Sequence, residues 1–295
     1  MKSNIFKDQT IENLYRNVPA EQLKQFQAFR ERYPYQIFNL RGISWRVIDT
    51  RAGSRVLLVP PGGTGVAEIG WQTLQHLAEK YRVITFDFPP IGRMQELMTG
   101  VIELLDRLGF ERIDAMGGSG GTLFLQPFLW SYPDRIGKMV LATPIPLENT
   151  GGKTVAGMLP ILSLIPTRWL RAMLMKSFER LGKGEEENRA SALVMAQARE
   201  IVQYRLQREN FIALFSLIAD MGTRCHYDPD SVGRWTGKML LIFGTQDPST
   251  PPEVRAKMSS LYPQAKVVVF EGGSHTIAVT HQKEYFRAID DFLSS

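Results

Sequence analysis

Three residues of this chain have the types and settings that nucleophilic acyl chemistry needs: Ser119, Asp247 and His275. A serine hydroxyl is a poor nucleophile until a base takes its proton, and that base needs an acid to hold its tautomer and balance its charge. Ser119 is the centre of Gly117-Gly-Ser-Gly-Gly121, between the apolar run Arg112-Ile-Asp-Ala-Met116 and the helix-like Thr122-Leu-Phe-Leu-Gln126. A serine at the tip of a strand-to-helix turn lies in strained backbone, so the residues two before and two after it must be too small to clash. Glycine fills both places. Asp247 follows Leu240-Leu-Ile-Phe-Gly-Thr-Gln246 and His275 follows Val267-Val-Val-Phe-Glu-Gly-Gly-Ser274, which brings an acid and a base to the ends of two successive apolar runs. The oxyanion of a tetrahedral intermediate also needs two backbone donors. The N–H of Gly120, directly after the serine, is the expected first donor. The second is expected from Pro60-Pro-Gly-Gly-Thr-Gly65, with Gly63 the first choice and Thr64 the next.

Each of these residues has a plainer structural alternative. Ser119 would serve as a turn residue, Asp247 before Pro248 as an Asx-turn residue, and His275 as an ordinary loop histidine. His76, within an expected helix over 67–80, His226, near the end of a helical block, and His281, at the start of the last helix, suit capping or surface roles better. Gly62-Gly63-x-Gly65 has a superficial likeness to a dinucleotide loop, but the G-x-G-x-x-G spacing is absent. No cofactor is expected. Cys225 is the only cysteine, which rules out an intrachain disulfide, and no Cys/His spacing suggests a metal.

The elements that must position these residues can be read from hydrophobic periodicity. Leu14, Val18, Leu23, Phe26 and Phe29 recur at helical spacing, with Pro19-Ala-Glu-Gln22 marking a helix start, so residues 1–35 form a helical extension. Gln36 to Leu40 and Ile43 to Asp49 flank Arg41-Gly42 as a hairpin. From Arg55 the apolar runs Val56–Val59, Val83–Phe86, Ile113–Met116 and Met139–Ala142 alternate with amphipathic helices over 67–80, 95–108 and 120–132. Unbroken runs of this kind belong to a parallel sheet covered by helices on both faces. The rhythm stops after Pro146 and returns with Met239–Phe243, a helix over 252–261, Val267–Phe270 and a helix over 282–293. One core domain from 36–146 and 236–295, carrying a helical insertion at 147–235, is therefore expected.

With 44% hydrophobic and 22% charged residues, the chain of 295 residues reads as an ordinary globular protein. Its net charge of +5 is spread over Lys and Arg interleaved with Glu, so nucleic acid is not an expected partner. Glu185-Glu186-Glu187 beside Lys183 and Arg189 reads as a solvated helix start or loop. The sequence Met1-Lys-Ser-Asn-Ile-Phe-Lys-Asp8 has no apolar targeting core, and the longest apolar stretch, Met158 to Pro166, is short and broken by proline. A cytoplasmic monomer or homodimer without membrane insertion is expected.

Taken in order, Pro60-Pro-Gly-Gly63, Phe86-Asp-Phe-Pro89, Gly117-Gly-Ser-Gly-Gly121, Tyr132-Pro-Asp-Arg-Ile136, Gly244-Thr-Gln-Asp247 and Gly273-Ser-His275 resemble the α/β-hydrolase superfamily from about residue 36 to the end. That resemblance implies an α/β-hydrolase fold, with a mostly parallel sheet and a helical cap inserted after the sixth strand. The family often has a histidine where Pro61 stands, and the short route Phe88-Pro-Pro-Ile-Gly-Arg93 is more similar to its maspardin-like branch. Serine at position 119 implies neither epoxide hydrolase nor dehalogenase chemistry, which use aspartate there. The implied activity is that of a serine hydrolase. A carboxylic ester hydrolase acting on a hydrophobic small molecule is favoured, a thioesterase or carbon–carbon bond hydrolase uses the same triad, and a non-catalytic binding protein on this fold is the alternative of another class. Of Met158, Leu159, Ile161, Leu162, Leu164, Ile165, Trp169, Leu170, Met173, Leu174 and Met175 in the implied cap, most are expected to pack and some to line an acyl pocket. Gly151-Gly152, Gly157 and Pro160 suggest a flexible entry to it.

Overall fold

The computed structural model describes residues 9–181, 189–227 and 229–295. Two helices, α1 (Gln9–Leu14) and α2 (Ala20–Arg32), precede the sheet. The chain breaks between them at Pro19, which lacks an N–H and suits the residue just before a new helix. Strands β1 (Gln36–Leu40) and β2 (Ile43–Asp49) then form the hairpin, turned by Arg41 and Gly42 at φ 52° and 77°.

Six more strands follow: β3 (Val56–Leu58), β4 (Arg82–Phe86), β5 (Ile113–Gly118), β6 (Ile136–Ala142), β7 (Lys238–Gly244) and β8 (Lys266–Phe270). The eight strands lie in the order β1-β2-β4-β3-β5-β6-β7-β8. The pairs β1/β2 and β2/β4 are antiparallel and the others parallel. Helices α3 (Trp71–Leu77), α4 (Met94–Arg107) and α5 (Gly120–Ser131) make the crossovers of the first half. Between β6 and β7 come α6 (Gly152–Leu162), α7 (Thr167–Leu181), α8 (Arg189–Glu200), a π-helical turn Ile201–Arg205, α9 (Arg208–Arg224) and α10 (Pro229–Arg234). The chain closes with α11 (Pro252–Leu261), α12 (Ile277–Thr280) and α13 (Gln282–Ser294).

Alternate residues of each strand serve opposite faces of the sheet. Ile84, Phe86, Ala115, Leu141 and Leu241 pack with α4, α5 and α11. Val83, Met116, Val140, Leu240 and Ile242 pack with α2, α3 and α13 on the other side. Helix α4 shows why these segments dock: Leu97, Val101, Leu104 and Leu105 fall on one stripe and are fully buried, each contributing about 1.5–3 kcal/mol.

Three expectations are corrected. The segment 67–80 is not one helix: a tight 3-10 turn, Ala67–Gly70, precedes α3, which ends at Leu77, because glycine at position 70 weakens a first α-turn. Strand β8 is not buried on both faces, since it is the sheet edge and Val267 and Val269 are 42% and 49% exposed. Met158 and Ile161 of α6, Leu164 of the connection and Trp169 and Met173 of α7 do not pack but are exposed among the described residues. Gly152 is where α6 touches α9, and a Cβ on it would lie 2.7 Å from the Gly222 backbone. The Glu185–Glu187 run falls outside the described residues. Among the described residues no helix is long and apolar enough to cross a membrane.

Candidate active site

The turn from β5 into α5 holds Ser119 at φ 50° and ψ −120°, a conformation that costs a non-glycine residue energy. The flanking glycines make it feasible. A Cβ on Gly117 would lie 2.8 Å from the Gly121 carbonyl carbon, and one on Gly121 would lie 2.9 Å from the Pro60 carbonyl oxygen. The strand ends β7 and β8 deliver the two partners. His275 Nε2 lies 2.9 Å from Ser119 Oγ, and His275 Nδ1 lies 3.1 Å from both carboxylate oxygens of Asp247. With Asp247 ionised, Nδ1 keeps its proton and Nε2 is left to accept one from the serine.

Asp247 is also the Asx-turn residue that its place before Pro248 suggests, because its Oδ1 accepts the Ser249 N–H at 2.8 Å. The turn and the triad contact are compatible, since the two carboxylate oxygens have enough lone pairs for both. Ser249 Oγ donates to the same Oδ1 at 2.7 Å and lies 3.1 Å from His275 Nδ1. Burial alone would push the Asp247 carboxyl up, but hydrogen bonds from His275 and Ser249 hold it below the ordinary carboxylate range. Ser249 was not singled out from sequence, although an Asp-Pro-Ser turn places the third residue back over the first.

Gly63 and Gly120 are brought together. A Cβ on Gly120 would sit 2.4 Å from the Gly63 nitrogen, so only glycine permits this approach. Gly120 opens α5, where an N–H has no acceptor within the helix. Thr64 lies in the same wall, and its hydroxyl accepts the Val66 N–H at 3.2 Å. Thr143, at the end of β6, is a second strained residue at φ 50°, held by its N–H donating to Ile242 at 2.8 Å. His76 stacks on Phe286 and contacts Asp290 on α13, and neither it, His226 nor His281 lines the cavity at Ser119.

That cavity has a volume of about 370 Å³ and runs from Ser119 along the sheet face shared with α3 and α13. Val59, Leu74, Met116 and, from α7, Leu174 and Phe178 make it mainly apolar. Among the described residues its wall carries no Lys, Arg, Asp or Glu. No group of three His, Cys, Asp or Glu able to hold a metal occurs among them either.

Behind the Gly62–Ala67 loop lies a buried ionic cluster that the sequence did not announce. Arg30 of α2 binds Glu68 at 2.7 Å and Glu200 at 2.8 Å, and Tyr15 donates to Glu200 at 2.5 Å. Arg205, swung inward by the π-helical turn, binds Glu68 at 2.6 Å and Asp87 at 3.1 Å. Asp87 also accepts from Tyr35 at 2.6 Å and from the Ala67 N–H at 3.0 Å, which occupies the acid after β4 that a ribose would need. Burial would raise the Glu68 carboxyl, yet Arg205 and Arg30 outweigh it and hold Glu68 below its ordinary range. For Asp87 burial wins over Arg205 and Arg46, and its carboxyl is pushed up.

Comparison with known proteins agrees with this architecture. Residues 55–282 match the family model described as alpha/beta hydrolase fold. The chain is 26% identical over 269 residues, covering 84% of it and 89% of the relative, to a 2-hydroxy-6-oxononadienedioate/2-hydroxy-6-oxononatrienedioate hydrolase of Cupriavidus pinatubonensis. It is 24% identical over 274 residues to a 2-hydroxy-6-oxo-2,4-heptadienoate hydrolase of Pseudomonas putida, covering 86% of this chain and 94% of that one. An enol-lactonase from Burkholderia xenovorans superposes with a TM-score of 0.66 at 16% identity, covering 88% of this chain and all of that one. The chain belongs to the alpha/beta hydrolase fold family.

Proposed function

We propose that the protein is a serine hydrolase that cleaves esters of an uncharged, largely apolar small molecule through an acyl-enzyme on Ser119. The observation that carries this reading is a Ser119–His275–Asp247 chain of hydrogen bonds opening into a cavity that no Lys, Arg, Asp or Glu lines among the described residues. His275 Nε2 takes the Ser119 proton as Oγ attacks the carbonyl carbon, and the carbonyl electrons move onto oxygen, which the Gly63 and Gly120 N–H groups receive. The tetrahedral species collapses, the ester C–O bond breaks, and His275 returns the proton to the departing alkoxide. Water then enters, gives its proton to His275 and attacks the acyl carbon. Collapse of the second tetrahedral species frees the acid as Ser119 regains a proton. Asp247 stays ionised throughout and balances the imidazolium.

Ser119→Ala is expected to lower kcat/KM for an activated short-chain ester by about 10³-fold or more. Full turnover in that variant, or no Ser119 adduct with a fluorophosphonate in wild type, would overturn the reading, and the latter would favour a binding protein on this fold.

A second reading, carbon–carbon bond hydrolysis, is favoured by the names of the relatives. The same triad would serve, but a dioate brings two carboxylates, and burying an unpaired carboxylate costs far more than the apolar contacts return. Comparing neutral esters, thioesters, and vinylogous diketones with and without carboxylates decides the matter. Preferred cleavage of a carboxylate-bearing diketone would replace the ester assignment.

A further inference from the structure

The cavity wall is mainly apolar, and Thr85 and Tyr285 are two of the polar residues that line it away from the Ser119–His275 pair. Thr85 is 1% exposed, and its Oγ1 has no hydrogen-bond partner among the described residues. It sits on β4 two residues after Val83, so its side chain shares the sheet face that Val59, Met116 and Ala142 present to the cavity. Tyr285 of α13 is 4% exposed and lines the same cavity, and its hydroxyl makes no hydrogen bond to any described residue. Burial pushes the Tyr285 phenol up, which keeps it a neutral donor.

Buried hydroxyls are almost always satisfied, because an unmade bond leaves the full desolvation penalty uncompensated. Valine at 85 would fill the same space without that penalty. One such orphan, with the Tyr285 hydroxyl turned to the same cavity and unbonded among the described residues, is best explained by a partner that arrives with the ligand.

We infer that Thr85 and Tyr285 form a subsite for an uncharged oxygen group, a hydroxyl or a ketone, carried on the part of the substrate remote from the bond cleaved at Ser119. Both side chains donate and accept, which suits a hydroxyl in either sense and a ketone through two donors. A carboxylate is disfavoured, since no cation lines the wall among the described residues. This inference rests on the serine hydrolase reading above and narrows its substrate class.

The test compares the full-length wild type, Thr85→Val and Tyr285→Phe on p-nitrophenyl esters of increasing chain length, each ending either in methyl or in hydroxyl. At the length that reaches the subsite, wild type is expected to favour the hydroxyl-ended ester in kcat/KM by about tenfold or more, because a site left with unpaired polar groups rejects the analogue that lacks them. Each substitution is expected to bring that ratio to near one or below it. A preference for the methyl-ended ester at every length, or a ratio that neither substitution moves, overturns the inference.

A second readout needs no turnover. Calorimetric binding of straight-chain diols and the matching alcohols to Ser119→Ala, alone and combined with Thr85→Val, must show the same loss of preference for the diol. If wild type cleaves no ester and takes no fluorophosphonate, the hydrolase reading fails, while the diol preference stands or falls by itself.

Discussion

Two sets of buried polar groups flank the segment from Thr64 to Glu68, and they differ in whether they are satisfied. On one side Arg30, Glu68, Glu200, Arg205 and Asp87 form a closed set of ion pairs, with Tyr15 and Tyr35 donating into it. On the other, Thr85 and Tyr285 line the cavity, and neither hydroxyl has a hydrogen-bond partner among the described residues. The paired set ties together parts far apart in sequence: α2, the loop after β3, the loop after β4 and the helices inserted before β7. The unpaired set ties nothing together. A buried polar group satisfied within the fold holds the fold, and one left open is available to a ligand.

Removing one member of the closed set tests its half of the contrast with the largest expected effect. Arg205→Met leaves Glu68 and Asp87 facing each other with less positive charge, in a place where the Arg205 side chain is only 12% exposed. Breaking a buried pair in this way costs about 3–5 kcal/mol, because the remaining charge stays buried and uncompensated. Urea unfolding at neutral pH should show that loss. The double variant Glu68→Leu with Arg205→Met should lose less than the sum of the two single ones. Additive losses would mean that the ions act separately.

How much of this was legible in the sequence follows the same division. The meeting of Ser119, Asp247 and His275 could be read because each sits just past the end of an apolar run with glycine close by. The β1–β2 hairpin could be read to the residue, because Arg41-Gly42 supplies the left-handed turn. The ionic cluster could not be read: its members come from four separate segments, share no motif, and belong to residue types that are usually solvated. Exposure of Val267 and Val269 was hidden for a related reason, since an apolar run does not say whether its strand lies at the sheet edge. The close contact of Gly152 with α9 was hidden because helix contact and chain flexibility both call for glycine.

Acid titration gives a smaller effect. Glu68 is held below its ordinary pKa in the fold, so the unfolded chain binds more protons in acid. Its contribution is complete above the unfolded glutamate value near ~4.3 and is lost as pH falls through the lower folded value. Asp87, pushed up by burial, works in the opposite sense: its contribution is present at low pH and is lost as pH rises through the folded value. Glu68→Gln should therefore flatten the fall in urea midpoint below about pH 5, while lowering stability at pH 7. Parallel curves for wild type and variant would show that Glu68 carries no linkage.

The smallest effect belongs to the open set and has the opposite sign. Thr85→Val removes a hydroxyl with no partner among the described residues and keeps the side-chain shape, so the ligand-free protein should gain up to about 1 kcal/mol, as expected when an orphaned buried polar atom becomes apolar. The gain should vanish when stability is measured with a bound hydroxyl-bearing ligand, because binding to the folded state favours the wild type by its tighter affinity. A loss in the ligand-free protein comparable to that of Arg205→Met would mean that the Thr85 hydroxyl is satisfied within the fold. The distinction between the two sides of the loop would then disappear, since both would be holding structure.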